Sequence, residues 1–125
     1  MGTALTLDTG ALIALESRGS AIGKRVRRAR MEQANVTAPA VVIAEWWRGR
    51  SDQREMILGM IRVEPMTEKL AKIAGEAMAA VRGSTTADAI VMASAAQRGD
   101  VVYTSDFEDL SRLQTHFRSV RVLRI

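Results

Sequence analysis

The stretch Ala4-Leu5-Thr6-Leu7-Asp8-Thr9-Gly10-Ala11-Leu12-Ile13-Ala14-Leu15 decides the fold, because a short strand passes directly into a buried helix. Residues 4–7 are β-compatible, and Asp8-Thr9-Gly10 predicts a turn and a helix start. The apolar run from Ala11 predicts a helix that ends near Gly19. A strand that feeds a helix in this way is typical of an α/β layer, and it leaves the carboxylate of Asp8 at the end of the first strand.

The rest of the chain repeats this alternation of short strands and helices. Further strands are predicted at Val36-Thr37, Ile61–Glu64, Val101–Thr104 and Val120–Ile125, the last as an edge strand. Helices are predicted over 20–34 with Ser20 as the cap, from Pro39, from Ser51, from Thr67, over 86–98, and after a capping box at Ser105-x-x-Glu108. We therefore predict an α/β fold with a mainly parallel sheet, built as a single domain over 1–125 because no linker or repeat interrupts the pattern.

Composition excludes several classes of protein. The chain has no cysteine, so disulfides, thiolate zinc sites and cysteine nucleophiles are excluded. No apolar run approaches the ~18 residues of a membrane helix, and an acid at position 8 comes too early for a signal peptide. We therefore expect a soluble cytoplasmic protein that has no membrane partner.

The basic residues are mostly arginines. The net charge is +4, and only Lys24, Lys69 and Lys72 among the 18 basic residues are lysines. This balance fits a nucleic acid or an acidic protein as partner, since guanidinium groups match phosphates and carboxylates. A genome-wide preference for arginine explains it equally well. The run 24–30 is open in the same way, because it fits either a solvated helix face or a contact with an RNA backbone.

Four acids occupy positions that call for an explanation. Asp8 and Asp106 lie just past strands, Asp88 lies in the first turn of a predicted helix, and Glu45 interrupts the apolar run 41–47. Helix capping alone can explain each aspartate, and a surface pair with Arg48 can explain Glu45. If all four converge instead, their mutual repulsion would favour Mg²⁺ or Mn²⁺, whose usual ligands are oxygens. Such a cation can activate water for attack on a phosphodiester.

Two other chemistries lack the residues they need. His116 is the only histidine, so a metal-free ribonuclease mechanism with two histidines is excluded. No G-x-x-x-x-G-K-[ST] motif occurs, so nucleoside triphosphate chemistry has no support.

Four segments in order carry a resemblance to a known family. They are 7–15 (LDTGALIAL), Ala44-Glu45, 86–95 (TADAIVMASA) and 102–106 (VYTSD). Together they resemble the PIN domain, and especially the VapC toxins of bacterial VapBC toxin–antitoxin pairs. The resemblance implies a PIN-like three-layer α/β/α fold with a five-stranded parallel sheet in the order 3-2-1-4-5. It also implies a Mg²⁺- or Mn²⁺-dependent endoribonuclease that uses metal-activated water.

The resemblance assigns roles to individual residues of this chain. Asp8, Glu45, Asp88 and Asp106 match the family's catalytic acids, with the three aspartates as metal ligands. Asp109, one helical turn after Asp106, is a second candidate for the fourth role. The hydroxyl residues expected to support the acids or the substrate are Thr9, Thr104 and Ser105.

The resemblance also implies partners. An RNA substrate, a homodimer and a small VapB-like antitoxin are expected, with Trp46, Trp47, Met56 and Met60 as antitoxin contacts unless they simply pack in the core. The main alternative is a catalytically silent PIN-like module that binds RNA or protein. A phospho-acceptor signalling domain is disfavoured, because Asp8 has no adjacent acid and no lysine follows Lys72.

Overall fold

A computed structural model describes residues 3–125, and in this part of the chain five strands form one sheet. The strands are β1 (Leu5–Leu7), β2 (Val36–Pro39), β3 (Arg62–Glu64), β4 (Val101–Thr104) and β5 (Arg121–Arg124). Their order is β3-β2-β1-β4-β5, and every neighbouring pair is parallel. The predicted order is confirmed, and β5 is an edge strand as expected.

Seven helices connect the strands within the same residues. They are α1 (Thr9–Leu15), α2 (Ala21–Met31), α3 (Ala40–Trp46), α4 (Asp52–Leu58), α5 (Glu68–Ala80), α6 (Thr86–Arg98) and α7 (Phe107–Leu113). Ser20, Ser51 and Thr67 cap the helices they were expected to begin. α6 has its predicted bounds, and Gly99 ends it in the left-handed conformation that favours glycine. None of these helices is long and apolar enough to cross a membrane.

The helices cover both faces of the sheet, which confirms the three-layer prediction. Alternate residues of a strand point to opposite faces, so Thr6 and Leu7 face opposite sides. Arg98 of α6 donates to the Thr6 hydroxyl at 3.1 Å, which places α6 on the Thr6 side. Tyr103 pairs in register with Leu7, and its ring lies under the guanidinium of Arg25 from α2. α2 therefore covers the other face.

A buried polar network fixes the carboxyl end of α6 against the sheet. The guanidinium of Arg98 donates to Glu64 and to Asp100, each at 2.9 Å, and to Ser94 at 2.8 Å. Asp100 is 2 % exposed and also accepts from the Thr6 hydroxyl at 2.9 Å. Removing the guanidinium of Arg98 would leave the buried carboxylate of Asp100 without its cation, which costs about 1–3 kcal/mol.

Two predictions about helix ends and faces are wrong. Ser105 does not cap α7: the N-cap is Asp106, without a side-chain cap bond, and Thr104 supplies the local acceptor instead. The spacing of Met56, Ile57, Met60 and Ile61 predicts one apolar face of the fourth helix, but this helix ends at Leu58, so Met60 and Ile61 lie beyond it. In both places a hydrogen bond or a turn that depends on the tertiary structure overrides the local pattern.

The prediction that Trp46 contacts an antitoxin is wrong, because Trp46 packs in the core. Its side chain is 2 % exposed, and its indole N–H donates to Glu16 at 2.9 Å. Trp47 is partly buried against the same core, whereas Met56 is 66 % exposed. Of the four residues considered, Trp46 thus belongs to the core and Met56 remains accessible.

Candidate active site

The candidate site is a cleft of ≈ 780 Å³ at the carboxyl ends of β1 and β4. β2 and β3 lie on one side of β1, and β4 and β5 lie on the other, so the strand order reverses at this point, where ligands of open parallel sheets bind. All four predicted acids line the cleft, together with Thr9 and Ser105. Positions separated by up to 98 residues in the sequence therefore share one surface.

Asp8 both caps a helix and faces the cleft. Its Oδ1 accepts from the backbone N–H of Ala11 at 2.8 Å, which caps α1, and its Oδ2 accepts from the Thr104 hydroxyl. The carboxyl group is 6 % exposed, and this burial raises its pKa although both hydrogen bonds act in the opposite direction. The negative charge of Asp106 raises the pKa further. Capping alone therefore does not account for Asp8.

Thr104 links Asp8 to the start of α7. Its buried hydroxyl donates to Asp8 and accepts from the backbone N–H of Asp106 at 2.7 Å. A single side chain thus fixes the orientation of one acid and the backbone of another. Thr104 does not itself line the cleft, so its predicted supporting role acts through Asp8 and Asp106.

Gly10 is a site residue that the sequence analysis did not identify. A Cβ built at this position would lie 1.8 Å from the Oγ of Ser105, so only glycine lets the loop after β4 approach the first turn of α1. A glycine in a helix costs about 1 kcal/mol relative to alanine, and that local cost was the available signal of a close approach.

Asp88 lies in the first turn of α6 but does not cap it. Thr85 is the cap, and its hydroxyl accepts from the backbone N–H of Asp88 at 3.1 Å. Partial burial raises the pKa of Asp88 to about 6, and the charges of Asp106, Asp109 and Asp8 contribute in the same direction. The side chain of Asp88 is therefore available to a ligand in the cleft.

Glu45 lies on the cleft side of α3. Its helix buries Val42 and Trp46 in the core, while Glu45 itself is exposed and accepts from the Thr9 hydroxyl at 2.6 Å. Arg48 lines the same cleft but forms no ion pair with Glu45 in the structure of residues 3–125. The helical turn thus explains how one carboxylate fits within an apolar run.

The tightest group of acids differs from the predicted ligand set. One carboxylate oxygen from each of Asp88, Asp106 and Asp109 lies within 4.8 Å of the other two, while Asp8 lines the cleft outside this group. Arg112 donates to Asp109 at 3.3 Å. Burial and the neighbouring charge of Asp109 raise the pKa of Asp106. Asp109 therefore belongs to the same close group of carboxylates as Asp88 and Asp106, two of the predicted metal ligands.

The donor set fits a hard divalent cation. Every candidate ligand is a carboxylate oxygen, which suits Mg²⁺ or Mn²⁺ better than softer metals. The raised pKa values of Asp8, Asp88 and Asp106 show that the cleft disfavours further negative charge. A divalent cation would lower that electrostatic cost, so the residues present are compatible with metal binding.

Comparisons with known proteins agree with this architecture. A family model described as PIN domain matches residues 5–114. Among solved structures, the chain is similar to VapBC2 from Rickettsia felis bound to a promoter DNA fragment (TM-score 0.77, 10 % identity, 98 % of each chain covered). It is also similar to DNA-bound VapBC from Salmonella typhimurium (TM-score 0.73, 16 % identity, 98 % of each chain).

A third similar structure is VapC20 from Mycobacterium tuberculosis, described as a sarcin-ricin loop cleaving toxin. It has a TM-score of 0.60 and 21 % identity, with 84 % of this chain and 93 % of that chain covered. At these identities the structural similarities establish the fold. A comparison of the sequence with curated proteins found no significant match.

Proposed function

Because the chain belongs to the PIN domain family, we propose that it is a metal-dependent endoribonuclease and the toxin of a toxin–antitoxin pair. The observation that carries this proposal is the convergence of Asp8, Glu45, Asp88 and Asp106 on one cleft. The solved VapC20, described as cleaving the sarcin-ricin loop, supports RNA as the substrate class.

The acids divide into two groups in this proposal. Asp8, Asp88 and Asp106 would hold Mg²⁺ or Mn²⁺, with Asp109 as a second candidate for the role of Asp106. When bound, the cation would supply charge neutralisation at the scissile phosphate and a lowered pKa for an attacking water. The position of Asp8 is set by Thr104, so its carboxylate is pre-oriented for this task.

Glu45 has the proposed role of orienting the attacking water. Its carboxylate is exposed at the cleft surface and is held by Thr9 at 2.6 Å, so the second oxygen is free to accept a proton. Arg48 lines the same cleft and is proposed to contact a substrate phosphate, because a guanidinium matches phosphate geometry. Ser105 borders the cleft next to Asp106, where its hydroxyl can contact the substrate.

A VapB-like antitoxin and a homodimer complete the proposal, together with a cytoplasmic location. Several of the similar structures are toxin–antitoxin complexes, two of them from Rickettsia felis and Salmonella typhimurium. A mainly apolar hollow of ≈ 500 Å³ between α2 and α4 includes Met56 and Met60, which were the expected antitoxin contacts. We propose that the antitoxin segment binds in this hollow, which Trp46 does not line.

The test is RNA cleavage with Mg²⁺ or Mn²⁺ by the wild type and by Asp8→Asn and Asp88→Asn. Each variant should lose about a hundredfold or more in rate, because each loses one metal ligand, while circular dichroism shows a retained fold. Glu76→Gln is the matched control, since Glu76 is an exposed acid of α5 outside the cleft. Full activity in both aspartate variants would refute the assigned roles. RNA binding without cleavage in any metal would favour the silent binding module.

A further inference from the structure

A second charged surface lies between α2 and the edge strand β5. Two adjoining hollows, of ≈ 310 Å³ and ≈ 520 Å³, share Arg25 and Arg28 as lining residues. Arg121 of β5 lines the first hollow and Lys24 lines the second. We call this surface the α2–β5 groove and define it by these four cations. None of the four lines the acid cleft.

The groove depends on the tertiary fold, because α2 and β5 are far apart in the sequence. Arg121 pairs in register with Val101, and Arg25 lies over the ring of Tyr103, 5.8 Å from the centroid. Tyr103 is 7 % exposed, so its ring is a fixed platform that limits the freedom of the Arg25 side chain. Cations from a helix and a strand are therefore held on one concave surface.

The positive charge of the groove is largely uncompensated. Lys24, Arg25 and Arg121 form no ion pair in the structure of residues 3–125. Arg28 pairs with Glu32 at 3.2 Å, but both side chains are exposed, and exposed pairs contribute little. Four cations therefore face one carboxylate, which favours an anionic ligand with several charges.

We propose that the α2–β5 groove binds the sugar-phosphate backbone of RNA, at a position separate from the acid cleft. This inference rests on the proposed function in taking RNA as the ligand. An acid-lined cleft repels a polyanion, so cations elsewhere on the surface strengthen the binding of a long strand. The groove reaches the amino ends of β1, β4 and β5, whereas the acid cleft lies at the carboxyl ends, so the groove would contact a part of the strand that is remote from the acids. Phosphate contacts of this kind position a strand without reading its sequence.

The experiment measures binding of a fluorescent single-stranded RNA of mixed sequence in EDTA, over a series of salt concentrations. Each phosphate contact contributes about 0.7 to the slope of log K against log salt for a single strand. The double variant Arg25→Gln/Arg121→Gln should therefore bind more weakly and lose about 1.4 from the slope. Arg30→Gln/Arg62→Gln is the matched control, because it removes the same charge from a hollow near β3, at the other edge of the sheet.

Two further measurements make the outcome decisive. Arg25→Lys/Arg121→Lys should restore the slope, which a merely misfolded variant would not do. An equal loss of slope in the control pair, or no loss in the groove pair, would overturn the proposal. It would also be overturned if an acidic peptide bound through the groove arginines while RNA did not. Because RNA binding is measured in EDTA, this test does not depend on cleavage. Absence of cleavage in the separate assay with Mg²⁺ or Mn²⁺ would refute the proposed ribonuclease and leave the binding result unchanged.

Discussion

Replacing Asp88 by asparagine should stabilise the metal-free protein while it abolishes cleavage. The folded structure raises the pKa of Asp88 from 3.8 to about 6, chiefly through burial, so ionisation of Asp88 at neutral pH lowers the free energy of unfolding. At about 1.4 kcal/mol per pKa unit, this difference sets a ceiling of about 3 kcal/mol. Partial exposure of Asp88 reduces it to about 1–2 kcal/mol through solvent screening.

One effect opposes this gain. Asp88 lies in the first turn of α6, where a negative charge stabilises the helix dipole by about 0.3–1 kcal/mol. The burial effect is larger, so Asp88→Asn should still gain about 1 kcal/mol in free energy of unfolding. For a domain of this size, that gain corresponds to a rise of about 3–6 °C in Tm.

The dependence on pH gives the sign of the effect. A raised pKa in the folded state means that the folded protein binds more protons than the unfolded chain between pH 3.8 and about 6. The free energy of unfolding of the wild type, compared with that of Asp88→Asn, should therefore fall as the pH rises from 3.8 to about 6, with no further change above pH 6. Below pH 3.8, Asp88 is mostly protonated in both the folded and the unfolded state, and the difference in stability between the wild type and Asp88→Asn should become small.

The assay is thermal unfolding by circular dichroism in EDTA from pH 4 to pH 8, repeated with excess Mg²⁺. Added Mg²⁺ should raise the Tm of the wild type more than that of the variant, because only the wild type keeps the full ligand set. Glu76→Gln, on an exposed face of α5, serves as the control for loss of one charge. An Asp88→Asn protein that is equally or less stable at pH 7.5 in EDTA would refute the electrostatic reasoning.

Three other substitutions test the packing around the site. Thr104→Val should cost about 1–3 kcal/mol in urea unfolding, because it leaves the Oδ2 atom of buried Asp8 without its donor, although Oδ1 still accepts from Ala11. Gly10→Ala should lower both stability and cleavage, since the new Cβ meets Ser105, and Gly10→Ala/Ser105→Gly should recover most of the lost stability. Arg98→Met should cost about 1–3 kcal/mol by leaving the buried carboxylate of Asp100 without its cation, whereas an equal stability of this variant would contradict the network.

The sequence predicted helices and strands well where their ends depend on interactions between neighbouring residues. α6 begins and ends where Thr86 and Gly99 indicate, because capping and glycine conformation are properties of adjacent residues. The strand over 101–104 follows from its apolar run in the same way. The parallel sheet followed from the alternation of elements, while the strand order came from the family resemblance.

Local signals failed where two segments compete for the same group. The Ser-x-x-Glu pattern at Ser105 predicts a capping box, yet the hydroxyl of Thr104 accepts the bond from Asp106 because it is already fixed by Asp8. Trp46 could not be assigned to core or surface from the run 41–47, because every residue of the run except Glu45 is apolar and no periodicity shows which side is buried.

The sequence by itself determined the order of the elements, the absence of thiol chemistry and the four acids that became candidates. Only the tertiary structure decided that these acids share a cleft and that Asp109 joins Asp88 and Asp106 in one group of carboxylates. It also decided that Arg25 and Arg121 line one groove. The physical reason is range. Helix caps and apolar periodicity act over a few residues, whereas burial, pKa and charge convergence depend on which distant segments the sheet brings together.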